Sequence, residues 1–246
     1  MTTNQNVNFI LDVNLLVGFL FEKSKNSDKY EIEFEKEAKK LKEIKNIIEE
    51  NFENTKVKYI TTEDELERAY EILRSEKEYE KYLSKENLSK IRNYIYKRKS
   101  SGDTNGYSIK IDGISIYVIR KEKAEEYKRK YYQEKRKKHL ETLVDRGDVE
   151  LLDFSISYSS IRNGRNFYVL LTNDQRIIKE YGNIFRQCIK DNKFYITSPA
   201  ILLEELNNKI KTSEASENKD YRLLREIFLN SFLYYVLESL ERNKKR

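Results

Sequence analysis

Residues 8–21 read NFILDVNLLVGFLF and form the most hydrophobic run of the chain. Residues 9–11 predict a buried strand, and the apolar residues that follow predict a segment packed behind it. Asp12 stands between the two. Because an unpaired buried carboxylate is costly in free energy, we expect a cation, a helix cap or a hydrogen-bond network to compensate its charge.

Composition narrows the classes of function. The chain has 246 residues, enough for one large domain or for one domain with a sizeable insertion. Its 48 Lys and Arg against 42 Asp and Glu give a net charge of +6, which is informative only where the basic residues cluster. The single cysteine, Cys188, excludes an internal disulfide and a multi-thiolate zinc site. The single histidine, His139, lies in the charged run KRKKHL, which argues against a histidine-rich metal centre or a Ser/His/Asp triad.

Neither a secretory signal nor a membrane span is expected. Residues 1–8 are polar, and no cleavage-like site of small residues follows them. The apolar run after them is too short and too interrupted to cross a bilayer. The expected compartment is the cytoplasm.

Strands alternate with helices at both ends of the chain. Four runs are predicted as core strands: 8–11, 56–60, 167–171 and 193–197. Strands that alternate with helices imply right-handed crossovers, and they predict a three-layer α/β/α fold around a central parallel sheet. We assign residues 1–75 and 148–210 to this core.

The stretch between the two core segments has a different character. Residues 76–147 are polar and rich in tyrosine, and they predict two helices that flank a β-hairpin. The pair Asp112-Gly113 is a strong signal for the tight turn of that hairpin. We interpret this stretch as an insertion. Residues 220–242 predict an amphipathic C-terminal helix that belongs to the core or forms the seam of a homodimer.

Acidic residues follow several of the predicted strands. Asp12 and Asp174 each follow a strand, acids at 63–67 follow another, and Asp153 is predicted to open the helix before the Asp174 strand. Ligands of an open parallel sheet bind beyond the carboxyl ends of its strands. Two carboxylates about 5 Å apart repel by roughly 3 kcal/mol at an effective dielectric constant of about 20, and a divalent cation removes that cost. Oxygen ligands without His or Cys suit Mg²⁺.

Three segments resemble the PIN-domain nucleases. FILDVNLLV resembles the opening strand of that family with its Asp-x-Asn motif, and VLLTNDQRI resembles its Thr-x-Asp motif. YITSPAILLEEL resembles its closing strand and helix. The resemblance covers the two ends of the chain but neither the insertion nor the terminal helix. It implies a metal-dependent ribonuclease with four acids around one or two Mg²⁺ or Mn²⁺ ions.

The resemblance also implies which acids these are. Carried over by position, the catalytic and metal-ligating acids are Asp12, Glu67, Asp153 and Asp174. The second acid is chosen by spacing, because Glu67 lies about six residues beyond Thr61, the polar residue that ends strand two. Glu65 is the alternative, but it already fits a capping box with Thr62.

Simpler roles exist for several of these residues. Each of the three aspartates can be a helix N-cap, although three caps that also follow the order of one family are less expected. Asn14 and Thr172 either orient the acids and waters, as the resemblance implies, or satisfy backbone groups.

The second helix of the insertion carries a dense basic block beside tyrosines. Basic residues neutralise phosphates and tyrosines stack on unpaired bases, whereas a run of mixed charge is often a solvated helix face. The residues predicted to contact RNA are Lys128, Arg129, Lys130, Tyr131, Tyr132, Lys135, Arg136, Lys137 and Lys138.

The resemblance therefore implies an endoribonuclease that hydrolyses RNA phosphodiester bonds through an acidic Mg²⁺ or Mn²⁺ site. Two alternatives stay open. One is a non-catalytic RNA-binding or ribonucleoprotein component with a PIN-like fold. The other is a phosphoryl-transfer enzyme with Asp12 as nucleophile, which is disfavoured because haloacid-dehalogenase-like phosphatases need a second aspartate where this chain has Asn14.

Overall fold

The computed structural model describes residues 5–24, 33–75, 85–111, 114–135, 146–161, 166–174, 177, 194–212 and 221–244. The predicted hairpin turn at Asp112-Gly113 and the basic residues 136–138 lie outside these ranges. The strands and helices are those of the described residues.

Six strands form one sheet in this part of the chain. They are β1 (Gln5–Leu11), β2 (Thr55–Thr62), β3 (Gly106–Ile111), β4 (Ile114–Ile119), β5 (Phe167–Leu171) and β6 (Phe194–Thr197). Their order across the sheet is β3-β4-β2-β1-β5-β6. β4 is parallel to β2 and β6 is parallel to β5, whereas β3 runs antiparallel to β4.

β1 runs in the same direction as both of its neighbours. The N–H of its first residue, Gln5, donates to Asn54 O just before β2 at 3.0 Å, and its last carbonyl accepts from Thr61 Oγ1 near the end of β2 at 3.3 Å. The N–H of Asn6 donates to Oδ1 of Asn166, just before β5, at 3.2 Å. The sheet is therefore parallel except for β3, which confirms the predicted α/β class with a central, mostly parallel sheet.

Eight helices accompany these strands in the described ranges. They are α1 (Val13–Ser24), α2 (Glu33–Asn51), α3 (Glu63–Ser75), α4 (Lys85–Ser101), α5 (Lys121–Lys135), α6 (Arg146–Ile161), α7 (Pro199–Thr212) and α8 (Tyr221–Lys244). The order α4-β3-β4-α5 confirms the predicted helix–hairpin–helix. Through β4, this hairpin extends the central sheet beside β2. None of the helices in the described ranges is long and apolar enough to cross a membrane.

The chain divides into two compact units. The first unit comprises Met1–Ile10, Lys40–Val57 and Arg162–Arg246, and the second comprises Leu11–Lys39 and Lys58–Ile161. Aromatic rings fill the core of the first unit. The ring centroid of Phe228 in α8 lies 6.3 Å from that of Phe9 and 5.1 Å from that of Phe167, and Tyr221 stacks on Phe167 at 4.6 Å.

Helix α8 matches the predicted C-terminal helix. Its buried side includes Phe228, and it leaves Leu233, Tyr234 and Leu237 exposed. The homodimer seam that the sequence predicts on this helix stays a prediction.

In the second unit, the helix that carries Asp153 begins earlier than predicted. α6 starts at Arg146, so Asp153 lies in the interior of the helix and not at its start. The prediction that Asp153 opens this helix is wrong, and so is the N-cap interpretation of Asp153. The reason is that residues 151–159 are all buried. A helix segment without a polar face cannot be distinguished from a buried strand by hydrophobic periodicity.

Candidate functional site

Asp12 lies directly after β1 and is 2% exposed. Its carbonyl oxygen accepts the N–H groups of Leu15 at 3.1 Å and Leu16 at 3.2 Å, so Asp12 is the N-cap residue of α1. Its Oδ1 accepts the N–H of Val13 at 2.6 Å, one residue earlier than the N–H groups that a capping side chain usually contacts. The positive end of the helix dipole also compensates this charge. Asn14 is exposed in the first turn of α1.

Three glutamates lie in the first turns of α3, just beyond the end of β2. Glu63 and Glu65 are buried at 5% and 4% exposure, whereas the side chain of Glu67 is 55% exposed. Oγ1 of Thr62 accepts the N–H of Glu65 at 3.3 Å, which confirms the Thr62 half of the predicted capping box. Burial thus separates the two candidates for the second acid, since Glu65 shares the buried state of Asp12 and Glu67 does not.

Asp153 is buried in the interior of α6, at 8% exposure. Ser157 lies one helical turn further along, on the same face of the helix. Its Oγ is buried and has no hydrogen-bond partner among the described residues. Buried hydroxyls almost always have a partner, so the Asp153 face of α6 is suited to a polar ligand.

Thr172 and Asp174 follow β5 in the first unit. Thr172 is fully buried, and its N–H donates to Thr197 O at 3.0 Å. Its Oγ1 accepts the N–H of Asp174 at 2.9 Å. This turn positions Asp174, which is partly exposed, just beyond the carboxyl end of the strand.

Glu63 is the centre of an ion cluster in the second unit. Its Oε1 lies 3.1 Å from Nζ of Lys99 at the end of α4 and 3.8 Å from Nη1 of Arg120 before α5. The same Lys99 Nζ lies 3.1 Å from Oε1 of Glu67. Partial burial lowers the pKa of Lys99, but the two glutamates together raise this pKa above its usual value. The first turns of α3 therefore contact both α4 and the residue that precedes α5.

Sequence reasoning missed this role of Glu63. In the sequence, Glu63 is one of four acids within five residues, in the run TEDELE, and no local pattern marks it. Its cationic partners lie 36 and 57 residues further along the chain, at Lys99 and Arg120. Only the packing of α4 and the hairpin onto α3 brings these charges together.

Intrahelical ion pairs involve two of the basic residues predicted to contact RNA, Lys128 and Lys130. Within α5, Lys128 pairs with Glu125, and Lys130 contacts Glu126 at 2.7 Å. Hydrogen bonds from Lys123 and Lys130 lower the pKa of Glu126 to about 2. These glutamates compensate part of the positive charge that the sequence assigns to RNA.

The remaining residues of the block divide into exposed, buried and undescribed ones. Arg129 is exposed, and Tyr131 is 7% exposed and therefore poorly placed to stack on a base. The described part of the structure excludes the side chains of Tyr132 and Lys135 and the whole of Arg136, Lys137 and Lys138.

The most basic of the described helices is α4, which sequence reasoning passed over. Its 17 residues carry four Lys and two Arg against one Glu, a net charge of +5. Helix α5 has six basic residues against four acidic ones, a net charge of +2. A charge count over residues 85–101 of the sequence would have identified α4 as strongly basic.

The donor chemistry of the second unit fits a hard cation. Asp12, Glu65 and Asp153 are buried carboxylates, and such oxygen ligands suit Mg²⁺ or Mn²⁺. Within the described ranges, no group of three or more His, Cys, Asp or Glu is arranged so that it could hold a metal ion. These three carboxylates therefore match a Mg²⁺ or Mn²⁺ site in their ligand chemistry and their burial.

Comparison with known proteins adds no relative. No protein-family model matches the chain, and no curated protein and no solved structure is significantly similar to it. Function is therefore inferred from the residues and their surroundings.

Proposed function

We propose that this chain is a metal-dependent endoribonuclease with a PIN-like acidic site. The observation that carries the proposal is the burial of Asp153 inside α6. A helix cap cannot explain a carboxylate in a helix interior, whereas carboxylate oxygens are ligands that Mg²⁺ and Mn²⁺ prefer. Asp12, the other buried aspartate of the resemblance, lies in the same compact unit at 2% exposure.

The second acid of the proposed site comes from α3. The motif spacing favours Glu67, but Glu67 is largely exposed and contacts Lys99. Glu65 is buried like Asp12 and Asp153, and we therefore favour Glu65 for this role. Asp174 lies in the first unit and stays a prediction of its sequence motif, and Oγ1 of Thr172 accepts its N–H.

The carboxylates of Asp12, Glu65 and Asp153 would hold Mg²⁺ or Mn²⁺. When bound, such an ion supplies Lewis acidity and the nucleophile for hydrolysis of a phosphodiester. The chain itself supplies the carboxylates that attract the ion, Asp12, Asp153 and Glu65, and the N–H of Val13 donates to Oδ1 of Asp12 at the start of α1. RNA is the proposed substrate because the resemblance implies it and because α4 is strongly basic.

The test is a cleavage time course on RNA in Mg²⁺, in Mn²⁺ and in EDTA. We expect metal-dependent cleavage by the wild type, and a loss of about a hundredfold or more in Asp12→Asn and in Asp153→Asn. Asp103→Asn is the matched control, because Asp103 is exposed in the second unit and belongs to no proposed site. Melting temperatures establish that each variant is folded.

Two results would contradict the proposal. The first is cleavage that persists in EDTA or in both aspartate variants. The second is a wild type that binds RNA but never cleaves it, which would leave the non-catalytic RNA-binding component as the better assignment.

A further inference from the structure

A groove with a volume of about 320 Å³ separates α3 from α4 in the second unit. Helix α4 contributes Arg92, Tyr96 and Lys99, which recur at i, i+4 and i+7 and so share one helix face. Helix α3 contributes Tyr70 and Arg74, also four residues apart. The volume is at the low end of the range of about 300–1,000 Å³ that ligand sites occupy. It suits one nucleotide of a longer strand.

The acids that line this groove are already paired with its cations. Glu67 contacts Lys99 at 3.1 Å, and Glu71 contacts Arg74 at 2.5 Å. Arg92, in contrast, has no ion pair in the part of the chain that the structure describes, and it is exposed. An anionic ligand would therefore meet the positive charge of Arg92 without competition from these glutamates.

Tyr96 lies at the groove, on a helix that hydrogen bonds to the sheet. Its side chain is 71% exposed, more than any other large hydrophobic side chain of the described residues. The neighbouring Tyr94 is fixed to the sheet, because its Oη accepts the N–H of Lys110 at 2.8 Å and donates to Lys110 O at 2.9 Å. Ile91 and Ile95 of the same helix are buried, and Ile95 also lines the groove. An exposed ring beside a cation on an ordered helix is the arrangement that stacks on an unpaired base.

We propose that the groove between α3 and α4 binds single-stranded RNA, with Tyr96 stacking on a base and Arg92 contacting the phosphate backbone. A single strand is required because the bases of a duplex are stacked on each other and cannot reach a side chain. The net charge of +5 on α4 favours a polyanion over a protein partner. This inference rests on the proposed function, for which it names the form of the substrate and where the strand lies.

Charge balance also favours α4 over α5 as an RNA contact. In α5 the basic residues alternate with glutamates that pair with them, whereas α4 carries a single acid. Counter-ion release on RNA binding depends on cations that are free to contact phosphates. Helix α4 therefore carries more net positive charge than α5.

The test is fluorescence anisotropy of a labelled single-stranded RNA in EDTA, so that binding is measured without cleavage. We expect Tyr96→Ala and Arg92→Gln each to weaken binding by about fivefold or more. Arg92→Gln should also reduce the slope of log Kd against log salt concentration by about 0.7, the value for one lost phosphate contact on a single strand. A merely structural effect would not change that slope.

Matched variants provide the controls. Tyr234→Ala removes an exposed tyrosine from α8, and Arg129→Gln removes an exposed arginine from the rival surface on α5. Both should bind within about twofold of the wild type. The proposal is overturned by wild-type affinity in folded Tyr96→Ala or Arg92→Gln, by an equal loss in Arg129→Gln, or by a wild type that binds no RNA.

The two proposals fail separately. If Tyr96 contributes to RNA binding but the chain never cleaves RNA in Mg²⁺, the nuclease proposal is refuted and the groove proposal stands. If the chain cleaves RNA with a metal but Tyr96→Ala leaves its RNA affinity unchanged, the groove proposal is refuted and the nuclease proposal stands.

Discussion

Nζ of Lys99 lies 3.1 Å from Oε1 of Glu63, and this contact joins the last turn of α4 to the first residue of α3. Glu63 is buried, whereas Lys99 is partly exposed and also lines the groove between the two helices. One lysine thus connects the proposed RNA groove with the acidic turn that carries the proposed second acid. Substitutions in this turn and at the neighbouring acids separate their structural roles from their proposed catalytic ones.

Neutralising Glu63 should destabilise the fold. Glu63→Gln leaves Lys99 and Arg120 without their buried counter-charge, and we expect the free energy of unfolding to fall by about 1–3 kcal/mol. Urea denaturation measures this change. Glu67→Gln is the matched control: it also contacts Lys99, but it is largely exposed, so its loss should stay below about 1 kcal/mol. Equal losses in the two variants would show that burial of Glu63 does not matter.

Divalent cations should raise the melting temperature of the wild type. A ligand at a hundred times its Kd stabilises the folded state by about 2.7 kcal/mol, which corresponds to roughly 5–10 °C for a chain of this size. Asp12→Asn should remove the increase, and Asp103→Asn should keep it. Differential scanning fluorimetry with millimolar Mn²⁺ or Mg²⁺ is the measurement. A wild type that shows no shift, or an Asp12→Asn variant that shows the full shift, contradicts the proposed metal ligands.

The second acid should be Glu65 and not Glu67. Because Glu65 is buried and Glu67 is paired with Lys99 at the surface, Glu65→Gln should reduce RNA cleavage by about a hundredfold or more. Glu67→Gln should stay within about threefold of the wild type. Initial rates at saturating Mn²⁺ compare the two variants directly. The reverse result would restore the assignment that the motif spacing favours.

Stability should decline at alkaline pH because of Tyr107. Burial and the charges of Glu63 and Glu67 raise the pKa of Tyr107 above its usual value. A raised pKa favours the neutral phenol in the folded state. Its stabilising contribution is therefore complete below the unfolded pKa of about 10, and it is lost as the pH rises from there towards the higher folded pKa.

Unfolding measured between about pH 8 and pH 11 tests this dependence. The free energy of unfolding should fall less steeply above about pH 10 in Tyr107→Phe than in the wild type. Tyr96→Phe serves as the control because Tyr96 is exposed, and it should follow the wild type. Identical pH profiles for Tyr107→Phe and the wild type would refute the role of Tyr107.

Much of the fold could be read from local patterns. The apolar run at 9–11 followed by Asp12 predicts β1 and the start of α1, and the Asp-Gly pair predicts the β3–β4 hairpin. The helical spacing at 220–242 predicts α8. These predictions succeed because periodicity and turn chemistry depend on neighbours within a few residues along the chain.

The candidate site was less readable. Motif order points to Asp12, Asp153 and Asp174, but spacing alone selects the exposed Glu67 over the buried Glu65. The start of α6 was also missed, because residues 151–159 are buried on every side and show no helical period. Burial depends on which other segments pack against a given segment. Local sequence patterns do not predict these segments.

Sequence patterns were sufficient for the type of most elements, the turn of the hairpin and the positions of the acids along the chain. Tertiary structure alone decided that β4 lies parallel to β2, that Glu63 meets Lys99 and Arg120, and that α4 and α3 enclose a groove lined by Tyr96. The physical reason is the distance along the chain between the residues that interact. Element type follows from backbone preferences and side-chain periodicity over a few residues, whereas burial and charge pairing follow from contacts between segments that lie tens of residues apart.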